Sequence, residues 1–297
     1  MRLLIMIGAA LLLWLSTAWA LEEARVLPTE WPEESTYEFA IFDATLTTRI
    51  ATAYYRVLVE ESAGRPVYHI KYVGRNQEMS EAAECWLNPG DLTPQRSTRK
   101  VVVDENAFFQ DNAYAEGAVV IRRKYGDGEV NEQQFPAPMP TYDYEQLMWL
   151  VPQLDFSTSS QLVLNLFVTI RSNLASVVVT DLGEQTVKIL DDAYTAHGYN
   201  FEVNMTPHAL WTVEQNGRQV PARFDTGEHI FLNLGLDPDA QGAAPLPAAA
   251  PPVAKPAPSP QPKPEPKPKP EPEEEEEEEE TDPNANPLGP PPEGSRF

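Results

Sequence analysis

One cysteine, Cys85, is present in 297 residues, which excludes an internal disulfide framework and a cysteine-based metal cluster. Beside Trp86 it reads as a small buried hydrophobe. Histidine is also scarce: His69, His197, His208 and His229 are the four. No two share the i, i+4 helix spacing or the i, i+2 strand spacing that presents two ligands from one element. Scattered turn or surface positions are therefore expected, even for His197, His208 and His229 with Asp225 and Glu228. Basic residues are few, 22 Lys and Arg against 45 Asp and Glu, for a formal net charge of −23. Phosphate backbones need clustered Lys and Arg, so nucleic acid is not expected as a partner and an anionic membrane surface is disfavoured.

Long apolar runs are missing after the N-terminus. The best one, 162–170, is short and interrupted by Asn165 and Thr169, so no transmembrane span is expected in the mature chain. Catalytic and metal-binding signatures are missing too. No G-x-S-x-G elbow surrounds a serine, including Ser157, Ser159 and Ser160. No D-x-D-x-D-G loop accompanies the pairs Glu60-Glu61 or Asp191-Asp192. No catalytic residue, metal ligand or cofactor is assigned, and the chain reads as non-enzymatic.

What is present begins with an address. Arg2 is followed by an apolar run over 3–15 and then by Ser16, Thr17, Ala18, Trp19 and Ala20. That order of charge, apolar run and small residues is the pattern of a cleavable signal peptide over 1–20, and implies export to the periplasm or beyond. Residues 21–35 read as an extended lead-in, and 36–236 as a β domain long enough to bury a core. From 237 to 297 the composition changes to alternating proline and then Glu273 to Glu280, with no aliphatic pattern. Such a tail cannot pack a core and is expected to be disordered, with polyproline II over 256–272. Its Pro-Lys and Pro-Glu steps resemble the spacers of TonB-type energy-transducing proteins.

Within 36–236 the recurring signal is two-residue alternation, the period of a strand with one buried face. Leu162, Leu164, Leu166, Val168 and Ile170 lie on one face, as do Tyr199, Phe201, Val203 and Met205. Weaker runs occur at 37–42, 51–59, 67–73, 119–125, 177–180, 187–190 and 230–234. Asp127-Gly128 and Asn216-Gly217 are hairpin-turn signals. The spacing predicts a mainly β fold: a single curved antiparallel sheet, half-barrel or open barrel, with a short covering helix or loop. Two short helices are predicted, over 77–84 and, after the Asp143 cap, over 144–151 before Pro152 stops it. The second belongs to the most apolar non-strand stretch. Tyr144, Leu147, Trp149, Leu154 and Phe156 are accordingly the candidate ligand-face or cover residues. Pro136, Pro138 and Pro140 would hold an extended connector leading to them.

Three stretches resemble the domain-of-unknown-function family 3108, exported bacterial proteins thought to share the half-barrel of the lipoprotein carriers LolA and LolB. They are CWLNPGDLTPQRSTRKV at 85–101, LMWLVPQLDFSTSSQLVLNLFV at 147–168 and TPHALWTVEQNGRQVPARFDTGEHIFLNL at 206–234. The resemblance implies fold and compartment only, since that family has no catalytic residues to carry over. Together with the sheet it suggests a binding or scaffold protein of the cell envelope that holds a lipid-like ligand or an extended peptide. The alternative is a structural protein that docks to an envelope partner and uses the tail as a spacer.

Overall fold

The computed structural model describes residues 22–27, 30–76, 78–104 and 106–237. The expected signal peptide over 1–20 and the Pro/Glu-rich tail beyond Asp237 lie outside the described residues. The first half of the chain gives β1 (Glu22–Glu23), β2 (Glu34–Asp43), β3 (Arg49–Ser62), β4 (Arg65–Arg75), β5 (Met79–Leu87), β6 (Pro94–Val103), β7 (Asn106–Ala115), β8 (Ala118–Tyr125) and β9 (Asn131–Pro136). After β10 (Tyr142–Asp143) and a helical segment come β11 (Gln161–Val168), β12 (Asn173–Ile189), β13 (Asp192–Val203), β14 (Thr206–Gln215), β15 (Arg218–Asp225) and β16 (His229–Asn233). All belong to one 16-stranded sheet that is curved and not closed. Two antiparallel meanders, β2 to β9 and β11 to β16, are joined where β16 pairs with β2. The short β1 and β10 add in parallel to the outer edge of β11.

The expected curved, mainly β sheet is thus the observed fold, and its alternation explains it. Leu162, Leu164, Leu166 and Val168 are buried while Val163 and Asn165 between them are not. Asn216 and Gly217 form the two-residue loop that closes the Gln215 and Arg218 pair, both with positive φ (54° and 73°), as a twist-matched hairpin turn requires. The Asp127-Gly128 signal behaves differently: β8 and β9 are linked by 126–130, and the residue with positive φ there is Gly126.

Three expectations are corrected. Residues 79–84 are not helical but lie in β5, where Glu81, Ala83, Cys85 and Leu87 are buried at strand period. Two turns of helix are marginal alone, and ladders to β4 and β6 outweigh them. The runs at 177–180 and 187–190 are one strand, β12. A bulge between Asp181 and Gly183 turns its two apolar sets to opposite faces, so Val177 and Val179 join the concave core while Val187 and Ile189 pack on the other face with Tyr194, Val213, Ile230 and Leu232. Pro152 does not stop the helical segment. A 3-10 turn (Tyr144–Gln146), a single α turn, α1 (Leu147–Leu150), and a second 3-10 turn (Val151–Gln153) follow one another, with Pro152 in the opening positions of the last. A first turn needs no N–H from proline.

This cover fills the concave face. Leu147, Leu150, Val151 and Leu154 are at most 4% exposed and belong to the same core as Phe39, Ile70, Leu87, Leu166, Leu210 and Phe224. At roughly 1.5–3 kcal/mol for each fully buried side chain, these four supply on the order of 10 kcal/mol of transfer free energy. A third cluster joins Val119 and Ile121 of β8 to Phe167 of β11, with the Phe135 and Phe167 rings 6.2 Å apart. The curl therefore brings the two ends of the sheet together through side chains.

Candidate functional site

Strand register places chemistry where the alternation alone would put core. One cross-strand row of the concave face reads Val57, Ile70, Cys85, Ser97, Asn112, Ile121, and the next Tyr55, Tyr72, Ala83, Arg99, Gln110, Arg123. From β3 toward β8 these rows pass from apolar to polar. Ser97, Arg99, Gln110 and Asn112 are nonetheless at most 8% exposed. Buried polar groups must find partners; Ser97 and Arg99 find theirs in the first turn of the cover, while Gln110 and Asn112 bond each other and Thr169.

Asp143 caps that turn, with φ −95° and ψ 144°. Its Oδ1 accepts from the Glu145 N–H at 2.8 Å, and the Gln146 Oε1 accepts from the Asp143 N–H at 3.3 Å, a reciprocal capping box. The same carboxylate accepts from Ser97 Oγ at 2.5 Å, from the Tyr114 hydroxyl, and from Thr169 Oγ1 at 3.1 Å. The Asn112 amide donates to Ser97 Oγ and to Thr169 Oγ1, which turns both hydroxyl protons toward Asp143. Burial, with the Glu145 charge behind it, pushes the Asp143 carboxyl up to about 6 against the pull of its donors. Its pKa is thus set between two opposed effects, burial that favours the neutral acid and donors that favour the anion.

The next two residues anchor separately. The Tyr144 hydroxyl donates to His208 Nε2 at 3.0 Å, and His208 Nδ1 donates to the Thr206 carbonyl at 2.9 Å. That pattern fits the neutral ring, and burial lowers the His208 pKa further. The imidazole stacks on Phe201 at 5.4 Å. Glu145 accepts from Arg99 at 2.5 Å, and the other side of that guanidinium meets Glu81. Burial raises the Glu81 carboxyl, with Arg99 opposing. Three consecutive side chains thus reach β6, β7 and the turn just after β11, then β14, then β6 again.

A carboxylate, two hydroxyls and an imidazole are raw material for acid–base chemistry. Here each is spent on a neighbour. Ser97, Asn112, Asp143 and Thr169 are fully buried, and the shallow pocket of about 190 Å³ beside β7 and β8 touches Tyr114 but not Asp143 or Ser97. A wider depression of about 720 Å³ at the β3–β4 and β5–β6 turns shares Asn88 and Gln95 with that pocket and holds no ionisable group but Arg65.

No family model, curated protein or solved structure matches this chain.

All five cover residues expected from the sequence lie in or against the main core. Trp149 packs between Tyr37 (4.8 Å) and Tyr55 (5.8 Å), and Phe156 meets Tyr199 at 5.8 Å. The histidines are dispersed but not at turns or on the surface as expected: all four lie in strands, His69 and His208 buried. His69 sits between Glu60 and Glu84 at 2.8 Å each, and His197 meets Asp181 at 2.6 Å. Among the described residues no three His, Cys, Asp or Glu side chains are placed to hold a metal ion. Ser157 and Ser159 make local turn hydrogen bonds, and Cys85 is buried. Sequence reasoning missed Glu81, Ser97, Arg99, Gln110, Asn112, Tyr114 and Thr169. The available signal was the alternation of 94–103 and 106–115, in which polar residues occupy the inward parity.

Proposed function

We propose that the protein is an exported, non-enzymatic binding or scaffold protein of the bacterial cell envelope. The observation that carries this reading is the cover: the polar groups best suited to catalysis hold a segment of the chain's own backbone over the sheet and are closed to substrate. A covered concave face leaves recognition to the surface that remains open. Export and compartment rest on the N-terminal pattern and on the resemblance to the lipoprotein-carrier half-barrel, which also suggests the ligand class, a lipid-like molecule or an extended peptide. A purely hydrocarbon chain in place of the cover would leave the Ser97 and Tyr114 hydroxyls and one side of the Arg99 guanidinium without their Asp143 and Glu145 acceptors, at about 1–3 kcal/mol each or more for the charge, so a ligand bearing polar groups fits better.

The filled trough also favours the second reading, a structural protein that docks to an envelope partner and uses the proline-rich tail as reach. Photo-crosslinking side chains at Tyr125 and Met205, 63% and 88% exposed, should give discrete adducts in cells. Retention of those adducts after deletion of 245–297 supports binding by the domain, and their loss supports the spacer reading. Hydrolysis of ester, phosphate or glycoside substrates that disappears in both Ser97→Ala and Asp143→Asn would overturn the non-enzymatic reading.

A further inference from the structure

The cover does not reach the whole concave face. Along β8 the inward residues run from buried to exposed: Val119 and Ile121 are fully buried, Arg123 is half-buried and Tyr125 is 63% exposed. Neighbouring strands run the same way, Asn112 and Gln110 to Phe108 on β7, and Ser97 and Arg99 to Val101 and Val103 on β6. Register places Val101, Phe108 and Tyr125 in one row directly beyond the row of Arg99, Gln110 and Arg123. The Phe108 and Tyr125 rings lie 4.8 Å apart. This is an open apolar shelf with a polar back wall.

Two guanidinium groups stand in that wall. Arg99 is neutralised by Glu81 and Glu145. Arg123 is not: its Nε donates to Gln110 Oε1 at 3.3 Å, which fixes the group through an amide, and a terminal nitrogen is buried with no hydrogen-bond partner among the described residues. The adjacent Arg122 points to the other face and pairs with Glu132. A buried guanidinium donor without an acceptor is costly, and an arginine fork held beside aromatic surface matches a planar carboxylate carried on an apolar body.

We infer that this shelf is a binding site for an apolar monocarboxylate, with Arg123 taking the carboxylate and Phe108 and Tyr125 the apolar part. The inference deepens the binding reading above and names its ligand chemistry. The carboxylate can belong to a fatty acid or to the C-terminus of a peptide ending in an apolar residue. Glu81 and Glu145 lie on the Arg99 side of the wall, where their charge is shared with that guanidinium.

The test is calorimetric titration of the full chain with decanoate and with N-acetyl-Leu-Phe, each against its neutral counterpart, decanol and N-acetyl-Leu-Phe-amide. At least one carboxylate should bind, at least about tenfold more tightly than its neutral partner, and Arg123→Gln should erase that preference, consistent with loss of a charge-assisted pair. Phe108→Ala should weaken carboxylate and neutral ligand alike, and circular dichroism of both variants reports whether the sheet is intact. Decanoate alone binding identifies a lipid-type ligand, and the peptide alone a chain terminus. Absence of binding by both carboxylates at millimolar concentration, or an unchanged preference in a folded Arg123→Gln protein, overturns the site. Cellular adducts that persist in that event would leave the broader binding reading standing.

Discussion

Asp143→Asn is the substitution that reads the anchor of the cover most directly, because it removes charge and keeps shape. Burial pushes the carboxyl up to about 6 from the ordinary aspartate value of 3.8. The folded value lies above the unfolded one, so the group's contribution to stability is fully present below the unfolded pKa and is lost as pH rises through about 6. A shift of this size corresponds to roughly 3 kcal/mol at most, of which about 2 kcal/mol falls between pH 4 and pH 7. The neutral amide does not titrate. Urea melts of both proteins, followed by tryptophan fluorescence across that range, should therefore show the Asn variant gaining about 2 kcal/mol relative to the parent as pH rises. Carboxylates whose pKa is lowered, such as Glu34, Glu60 and Asp155, titrate alike in both proteins and cancel. A flat difference curve would show that Asp143 is solvated in solution and the cover is loose there. A difference of opposite sign would mean that Ser97, Tyr114, Thr169 and the capping N–H overcome the burial penalty, and the anion itself would then be the anchor.

Arg99→Met leaves Glu81 and Glu145 buried without their counter-ion and should cost about 3–5 kcal/mol in a denaturant melt. A triple variant with Glu81→Leu and Glu145→Leu added should recover most of that loss, and failure to recover would mean Arg99 packs more than it pairs. Trp149→Ala removes a ring held between Tyr37 and Tyr55 and should cost about 3–5 kcal/mol with increased hydrophobic-dye binding. Trp149→Phe should cost much less, since the buried indole N–H has no partner among the described residues; equal losses would contradict that. Gly217→Ala places a Cβ at φ 73° in the Asn216-Gly217 turn and should lower stability by about 1–2 kcal/mol, read as a melting-temperature drop of a few degrees.

The sheet was legible in the sequence because a strand's period is two and its burial is one-sided. The alternation at 162–168 and 199–203, and the Asn216-Gly217 turn, need no knowledge of what they pack against. The apolar cover was legible for a related reason, since an antiparallel sheet with one apolar face must be covered and only one non-strand segment is apolar enough. Asp143 was recognisable as a helix cap, but nothing local marks it as the acceptor for side chains from two strands and a distant turn. Ser97, Arg99, Gln110 and Asn112 look like surface positions in β6 and β7, because polar residues at alternate places fit a solvated face as well as a buried polar one. Register decides between the two, and register is a property of paired strands. The strand at 79–87 and the continuous β12 with its face-changing bulge were decided the same way, by ladders to neighbours distant in the chain. Local sequence thus determined which segments extend and which one covers. Tertiary pairing alone decided which polar side chains turn inward, because a strand's two faces are chemically equivalent until a partner buries one of them.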